Sequence, residues 1–276
     1  MADYTWYGLG GPADYLVCPT NTDQLRTVIQ RCCENDLPAY ILGNGSNLLI
    51  RDQGIRGAVI KLQGDEFSGF SFKGTSLKAA AGAELNKILQ EAVKRGLGGI
   101  EALAGIPGTV GGAVKMNAGG HFGDIGTVVQ SVTVMDKQGE IFEKEKPELV
   151  FDYRQSNITT RVILSAAIEL IESDRNELLK TVKEVWIYKK NTQPLDTKNA
   201  GCVFKNPRGM SAGALIDRAG LKGAQIGGAV VSSKHANFIL TEKGCKSEDV
   251  LNLIEQIQQR VKEKYDVELE LEIEIW

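Results

Sequence analysis

Apolar positions along the chain fall into short blocks of two periods. Leu25, Val28, Ile29 and Cys32 recur at helical spacing behind a capping-box start at Asn21 and Gln24. Leu85, Ile88, Leu89 and Ala92 predict a second helix, and Leu178, Val182 and Val185 a third. Val250, Ile254, Ile257 and Val261 predict a fourth, with Ser247 at the N-cap and Glu248 and Asp249 in its first turn. A short helix over 212–219 has Ser211 as N-cap and Gly220 as its stop. Residues 39–42, 48–50 and 57–62 read as strands, and 162–171 as one long strand. The 128–136 block turns at Lys137-Gln138-Gly139 into 140–143, a hairpin signal. At the end, 267–275 alternates apolar residues with Glu268, Glu270, Glu272 and Glu274. This order is α+β, not the repeated βα unit of one parallel sheet, with soft boundaries near 62 and 172.

Composition narrows the function. The 276 residues are 42% hydrophobic and 24% charged, with a net charge of −3. No basic excess exists to neutralise phosphates, so nucleic acid is excluded as the main partner. No run of about 18 apolar residues appears, and the N-terminus carries no basic or apolar stretch, so neither a membrane span nor a secretory signal is expected. Five cysteines, of which Cys32 and Cys33 are adjacent and Cys18, Cys202 and Cys245 scattered, and two distant histidines suggest neither a disulfide framework nor a metal site. A reduced, cytoplasmic setting is expected.

Glycine is the unusual residue: 31 of 276, about 11% against a typical ~7%. The glycines cluster at Gly8, Gly10 and Gly11, in Gly43-Asn44-Gly45-Ser46-Asn47, from Gly105 to Gly112 and on to Gly119-Gly120, and from Gly220 to Gly228. Clustering means tight turns or close backbone approach rather than a flexible linker. The second cluster has two glycines of the dinucleotide fingerprint but Leu48 in place of the third, and a strand pattern follows it, which argues against a Rossmann site. Neither long cluster contains Gly-Lys-Ser/Thr, so a Walker-type site is unsupported. Taken alone, the 43–47 loop is a plain turn between strands; with the 105–112 run added, two loops whose N–H groups cradle a diphosphate between two subdomains become the better reading.

The motifs also resemble a known family. Gly10-Gly11-Pro12-Ala13, the loop from Gly43 to Leu49, Gly99-Ile100-Glu101 with Gly105 to Asn117, and Tyr153-Arg154-Gln155-Ser156 occur in the order found in UDP-N-acetylenolpyruvoylglucosamine reductases (MurB). So do Gly201-Cys202-Val203-Phe204-Lys205-Asn206-Pro207, Gly220-Leu221-Lys222-Gly223, His235-Ala236-Asn237-Phe238 and Leu269-Glu270-Leu271-Glu272-Ile273. The short connection from Ser156 to Cys202 is similar to the subclass lacking a Tyr-bearing loop. The resemblance implies a two-subdomain FAD-binding fold of the vanillyl-alcohol-oxidase (PCMH) type plus a C-terminal α+β substrate-binding domain. In this sequence these would be 1–62, 63–172 and 173–276. It implies FAD as cofactor and NADPH as hydride donor. The substrate would be the enolpyruvyl ether of UDP-N-acetylglucosamine, reduced to UDP-N-acetylmuramate for peptidoglycan. A monomer is expected.

Site residues follow from the matched motifs. Gly43, Asn44, Gly45, Ser46, Asn47, Gly105, Gly108, Thr109, Gly111, Gly112 and Ala113 would hold FAD. Arg154, otherwise an ordinary ion-pair arginine, becomes the group that polarises the enolpyruvyl carboxylate. Tyr153 would line the substrate cavity, and Lys190, Lys205 and Asn206 would face the UDP diphosphate. Within the glutamate row nothing bottom-up separates Glu272 from Glu270; the resemblance alone selects Glu272, opposite Arg154 at the same carboxylate. Cys202 stands where the family usually has a serine proton donor. A thiol, with a pKa of about 8.5, is the stronger acid, so donation from sulfur is chemically sensible, although small buried packing is the commoner fate of a free cysteine. A rival reading is an acyl hydrolase, from Gly209-Met210-Ser211-Ala212-Gly213. Others are a flavoprotein of the same fold with another substrate and a module that binds the nucleotide without turnover.

Overall fold

Helix α1 (Thr22–Glu34) forms because its apolar residues share one face and its first turn is capped. Asn21 Oδ1 accepts the Gln24 N–H at 2.9 Å, as the sequence predicts. The return arm differs: Gln24 Oε1 accepts from Thr20 N–H at 2.9 Å rather than from Asn21. The computed structural model describes residues 1–159 and 162–276. The chain forms two units, neither continuous in sequence: a larger one of 15–44 and 57–188, and a smaller one of 1–14, 45–56 and 189–276.

In the larger unit, Leu25 and Ile29 of α1 are buried with Ile60, with Phe67 of α2 (Asp65–Ser68), and with Met135, Val162 and Leu164. Strand Ala39–Leu42 runs parallel to Ile55–Lys61, pairing Ala39 with Ala58. The second core lies on a five-stranded antiparallel sheet in the order Ile141–Glu145, Val129–Met135, Val162–Glu169, Ser76–Ala80, Phe70–Lys73. Helix α3 (Leu85–Lys94) buries Leu85, Ile88, Leu89, Ala92 and Val93 in this core. Each large apolar side chain so buried contributes roughly 1.5–3 kcal/mol. Helix α4 (Val110–Lys115) adds Val110, Ala113 and Val114. The strand expected over 162–171 is broken: it stops at Glu169, Leu170 N–H donates to Thr75 O, and Ile171–Glu172 pairs with Leu97–Gly98. Helix α5 (Arg175–Thr192) follows.

The smaller unit builds its core from α6 (Ala212–Arg218), α7 (Ser247–Tyr265) and the strands Gln225–Ile226, Ala229–Val231 and Ile239–Thr241. Leu48–Leu49 runs parallel to Glu274–Ile275. The predicted Ser247 cap is corrected. Ser247 is the first helical residue, its Oγ accepts from Asp52 N–H at 2.8 Å, and its own N–H donates to Asp52 Oδ2 at 2.9 Å. A carboxylate of the first turn takes over the cap, Asp249 Oδ2 accepting from Lys246 N–H at 3.0 Å. The 267–275 alternation is real in burial, with Leu269 and Ile273 inside, but only its last residues form a strand. Among the described residues, no helix is long and apolar enough to cross a membrane.

Candidate active site

The loop from Gly43 to Asn47 follows strand Ala39–Leu42 and bends at Gly45, whose φ of +64° needs glycine because a Cβ there would lie 1.9 Å from Tyr4 O. The N–H groups of Asn44, Gly45 and Ser46 have no acceptor among the described residues. Gly43 lies against the other glycine stretch: a Cβ on it would come within 3.0 Å of Thr109 Oγ1.

That second stretch is committed differently. Thr109 caps α4, its Oγ1 accepting from Gly112 N–H at 3.4 Å and its carbonyl from Ala113 N–H at 2.9 Å. Val110 N–H donates to Ala83 O at 3.0 Å and Gly111 N–H to Ala81 O at 2.7 Å. Of this run, Gly105, Gly108 and Thr109 have N–H groups without an acceptor among the described residues. Gly111 is required by packing as well, since a Cβ would lie 2.9 Å from Ala81 Cβ. The backbone groups of Gly111, Gly112 and Ala113 therefore bind the chain itself.

Both ends of α4 carry candidate residues. Beyond its C-terminus, Lys115 O accepts from Ser156 Oγ at 2.9 Å, and the buried Asn117 donates from Nδ2 to Asp152 O at 3.0 Å. Asn117 Oδ1 also accepts Gly126 N–H at 2.9 Å. These bonds fasten a hairpin, Phe151–Asp152 against Gln155–Ser156, whose two-residue tip is Tyr153-Arg154. Arg154 has a φ of +58°, a conformation costing a non-glycine residue about 1–2 kcal/mol. Its guanidinium carbon sits 5.0 Å from the Tyr153 ring centroid, and that ring is exposed. A glycine or asparagine would suit this turn better.

In the smaller unit, Cys202 is half-buried and begins the stretch holding Lys205 and Asn206. Glu272 N–H donates to Val203 O at 2.8 Å, next to Cys202 in sequence. Here the structure separates the two glutamates that the sequence leaves equal. Glu270 has a side chain 77% exposed and pairs with Lys205 at 3.4 Å. Glu272 is half-buried, and its carbonyl accepts Asn47 Nδ2 at 2.9 Å. Asn206 Oδ1 accepts Ala212 N–H at 2.9 Å and so helps to start α6. Lys190 is exposed near the end of α5, where its carbonyl accepts from Lys234 Nζ.

Sequence reading missed the fastening amide Asn117 and a cluster of rings. His121, Phe122 and Tyr188 lie 5.2–6.3 Å apart, centroid to centroid, and Phe122 lines a depression with Glu101, Asp124 and Thr181. The signal was there in Tyr188, an exposed aromatic residue on α5. The hydrolase reading fails on geometry. Ser211 Oγ accepts Ala214 N–H at 3.2 Å as a helix cap, no strand leads into it, and His235 Nδ1 accepts Asn237 N–H at 3.2 Å. Burial, aided by Lys222, pushes the His235 pKa down, which keeps that nitrogen an acceptor.

Residues 13–144 match the model of an FAD binding domain, and residues 193–276 that of the UDP-N-acetylenolpyruvoylglucosamine reductase C-terminal domain. The Clostridium botulinum (strain Hall) UDP-N-acetylenolpyruvoylglucosamine reductase is 43% identical over 277 residues, covering 100% of this chain and 90% of the relative. The Clostridium tetani reductase is 41% identical, covering 99% and 89%. The crystal structure of the Thermus caldophilus reductase (MurB) superposes with a TM-score of 0.87 at 40% identity, over 100% of this chain and 96% of that one. The fold is thus an FAD-binding domain of the PCMH type followed by the family's own C-terminal domain. The chain belongs to the UDP-N-acetylenolpyruvoylglucosamine reductase family.

Proposed function

We infer that this chain is the FAD-dependent, NADPH-using reductase of peptidoglycan precursor synthesis that converts the enolpyruvyl ether of UDP-N-acetylglucosamine to UDP-N-acetylmuramate. The observation that carries the reading is the presence, on one chain at full-length similarity, of both the FAD binding domain and the family's C-terminal domain. FAD, when bound, supplies the two-electron relay from NADPH to the enolpyruvyl double bond. The glycine stretches suit such a group: Asn44, Gly45, Ser46, Gly105, Gly108 and Thr109 offer unspent N–H donors, and Gly43 leaves room beside Thr109. The Asn47 side chain is tied to the Glu272 carbonyl, and Gly111, Gly112 and Ala113 contribute shape.

The residue roles are our assignment. Arg154 holds the enolpyruvyl carboxylate and stabilises the negative charge that develops on the carbon beside it once hydride reaches the methylene. Cys202 gives its S–H proton to that carbon and regains one from solvent, so that one hydride and one proton add across the C=C bond. Glu272 acts on the same carboxylate. Tyr153 bounds the sugar site, and Lys190, Lys205 and Asn206 hold the diphosphate. Residues 1–62 and 63–172 serve as the FAD subdomains and 173–276 as the substrate domain. A cytoplasmic monomer is the working form.

The test is direct. The purified protein should be yellow, lose flavin absorbance with NADPH, and regain it with the enolpyruvyl nucleotide while UDP-N-acetylmuramate accumulates. A flavin reduced by NADPH but indifferent to that nucleotide would overturn the substrate assignment.

A further inference from the structure

The motif His235-Ala236-Asn237-Phe238 has no part in the roles above, yet it holds the segment that carries Cys202. Asn237 is 3% exposed. Its carbonyl accepts Val203 N–H at 2.8 Å, its Oδ1 accepts Phe204 N–H at 3.0 Å, and its Nδ2 donates to Phe204 O at 2.7 Å. One residue thereby satisfies the backbone of Val203–Phe204 along one edge, as a neighbouring strand would. The other edge is tied to the C-terminal stretch through Glu272 N–H to Val203 O and Lys205 N–H to Glu270 O, both at 2.8 Å.

The loop presenting Asn237 is itself over-determined. Ser232 Oγ accepts the N–H groups of Lys234 and His235, at 3.1 and 3.3 Å. Ser232 N–H donates to Phe238 O at 2.8 Å, and Phe238 N–H to His235 O at 3.0 Å. The His235 ring lies on α6, where a Cβ on Gly213 would come within 3.1 Å of its Cε1, and its Nδ1 receives Asn237 N–H.

We propose that Asn237 is a positioning residue for the proton-transfer step, its side-chain amide setting where the Cys202 thiol stands. The inference rests on the reading of Cys202 as proton donor. Proton transfer needs heavy atoms about 2.6–3.2 Å apart, and a misplacement of about 1 Å costs on the order of 10²-fold. An aspartate at 237 keeps the acceptor for Phe204 N–H but sets an anion against Phe204 O, so it shifts the segment at nearly constant volume.

The experiment uses the FAD-loaded protein and follows flavin absorbance by stopped flow, first with NADPH and then with the enolpyruvyl nucleotide, alongside thermal unfolding. Asn237→Asp and Asn237→Ala should slow reoxidation on the order of 10²-fold and leave reduction by NADPH near normal. Phe238→Leu, a buried neighbour making none of these side-chain bonds, should lower the melting temperature and leave both rates near normal. Equal slowing of reoxidation by Phe238→Leu at a matched loss of melting temperature, or slowing of both half-reactions by Asn237→Asp, would overturn the inference in favour of general loosening. Cys202→Ala is run in parallel. Normal reoxidation in that variant removes Cys202 from the mechanism, and the inference falls with it whatever the Asn237 variants do.

Discussion

Arg154 and Cys202 stand on backbone held in opposite ways. Arg154 occupies a left-handed turn position at the tip of a two-residue hairpin, and the strain is borne by bonds at the hairpin's base from Ser156 to Lys115 and from Asn117 to Asp152. Cys202 leads into a segment bonded on both edges, by Asn237 and by the stretch around Glu272. A strained tip presents a long charged side chain at the expense of stability. A doubly bonded segment fixes a short thiol, which has no reach of its own to correct an error. Function and stability should therefore separate at Arg154 and stay closer together around Cys202.

The largest effect should come from Arg154. Arg154→Lys should lower turnover about 10²–10³-fold with little change in substrate affinity, because lysine cannot offer the planar two-donor fork. Arg154→Gly should be equally inactive yet more stable, by about 1 kcal/mol, since glycine accepts the left-handed conformation. Calorimetry and steady-state kinetics check both; a destabilised glycine variant would break the contrast. Next comes the thiol. Cys202→Ala should leave reduction by NADPH intact and slow reoxidation by roughly 10²–10⁴-fold, the scale of general acid catalysis, whereas Cys202→Ser should keep much of the activity. Glu272→Gln should lower turnover, while Glu270→Gln, with its exposed side chain, should be near silent. Equal effects at the two would mean that burial had been read as function.

A smaller change sharpens the glycine stretches. Gly111→Val is a poor probe, because its Cβ would collide with Ala81 and the protein itself would suffer. Gly108→Ala has room, with Leu85 Cδ1 at 3.5 Å, so it should fold normally and bind FAD more weakly, as read by flavin content after purification. The smallest effect concerns His235. Its pKa is held below the ordinary 6.5 by burial, with Lys222 adding repulsion, so the unfolded chain takes up its proton first as pH falls. The stability this histidine contributes is present above about pH 6.5 and is lost progressively below it. His235→Asn, which keeps an acceptor in place of Nδ1, should flatten that part of the stability profile. An unchanged profile would show that the histidine titrates normally.

Local chemistry was legible in the sequence. Asn21 and Ser211 are caps because an oxygen one or two bonds from Cβ meets the N–H three residues on, and no distant group is needed. The apolar faces of α1, α3 and α7, the 129–145 hairpin and the ordered motifs depend equally on near neighbours, and so did the recognition of the family. Tertiary structure decided the rest, wherever one group had two possible partners. Ser247 could have capped α7, but Asp52, 195 residues away, took its hydroxyl and returned a carboxylate. The N–H groups of Gly111 and Gly112 looked available to a ligand until Ala81 and Thr109 claimed them. Glu270 and Glu272 are the same residue two apart on an alternating stretch, and only what lies against each, Lys205 beside one and the Asn47 amide on the backbone of the other, sets them apart. Sequence spacing fixes which groups can meet a neighbour within a turn or two; hydrogen bonds saturate, so which of several distant partners wins is a property of the folded chain.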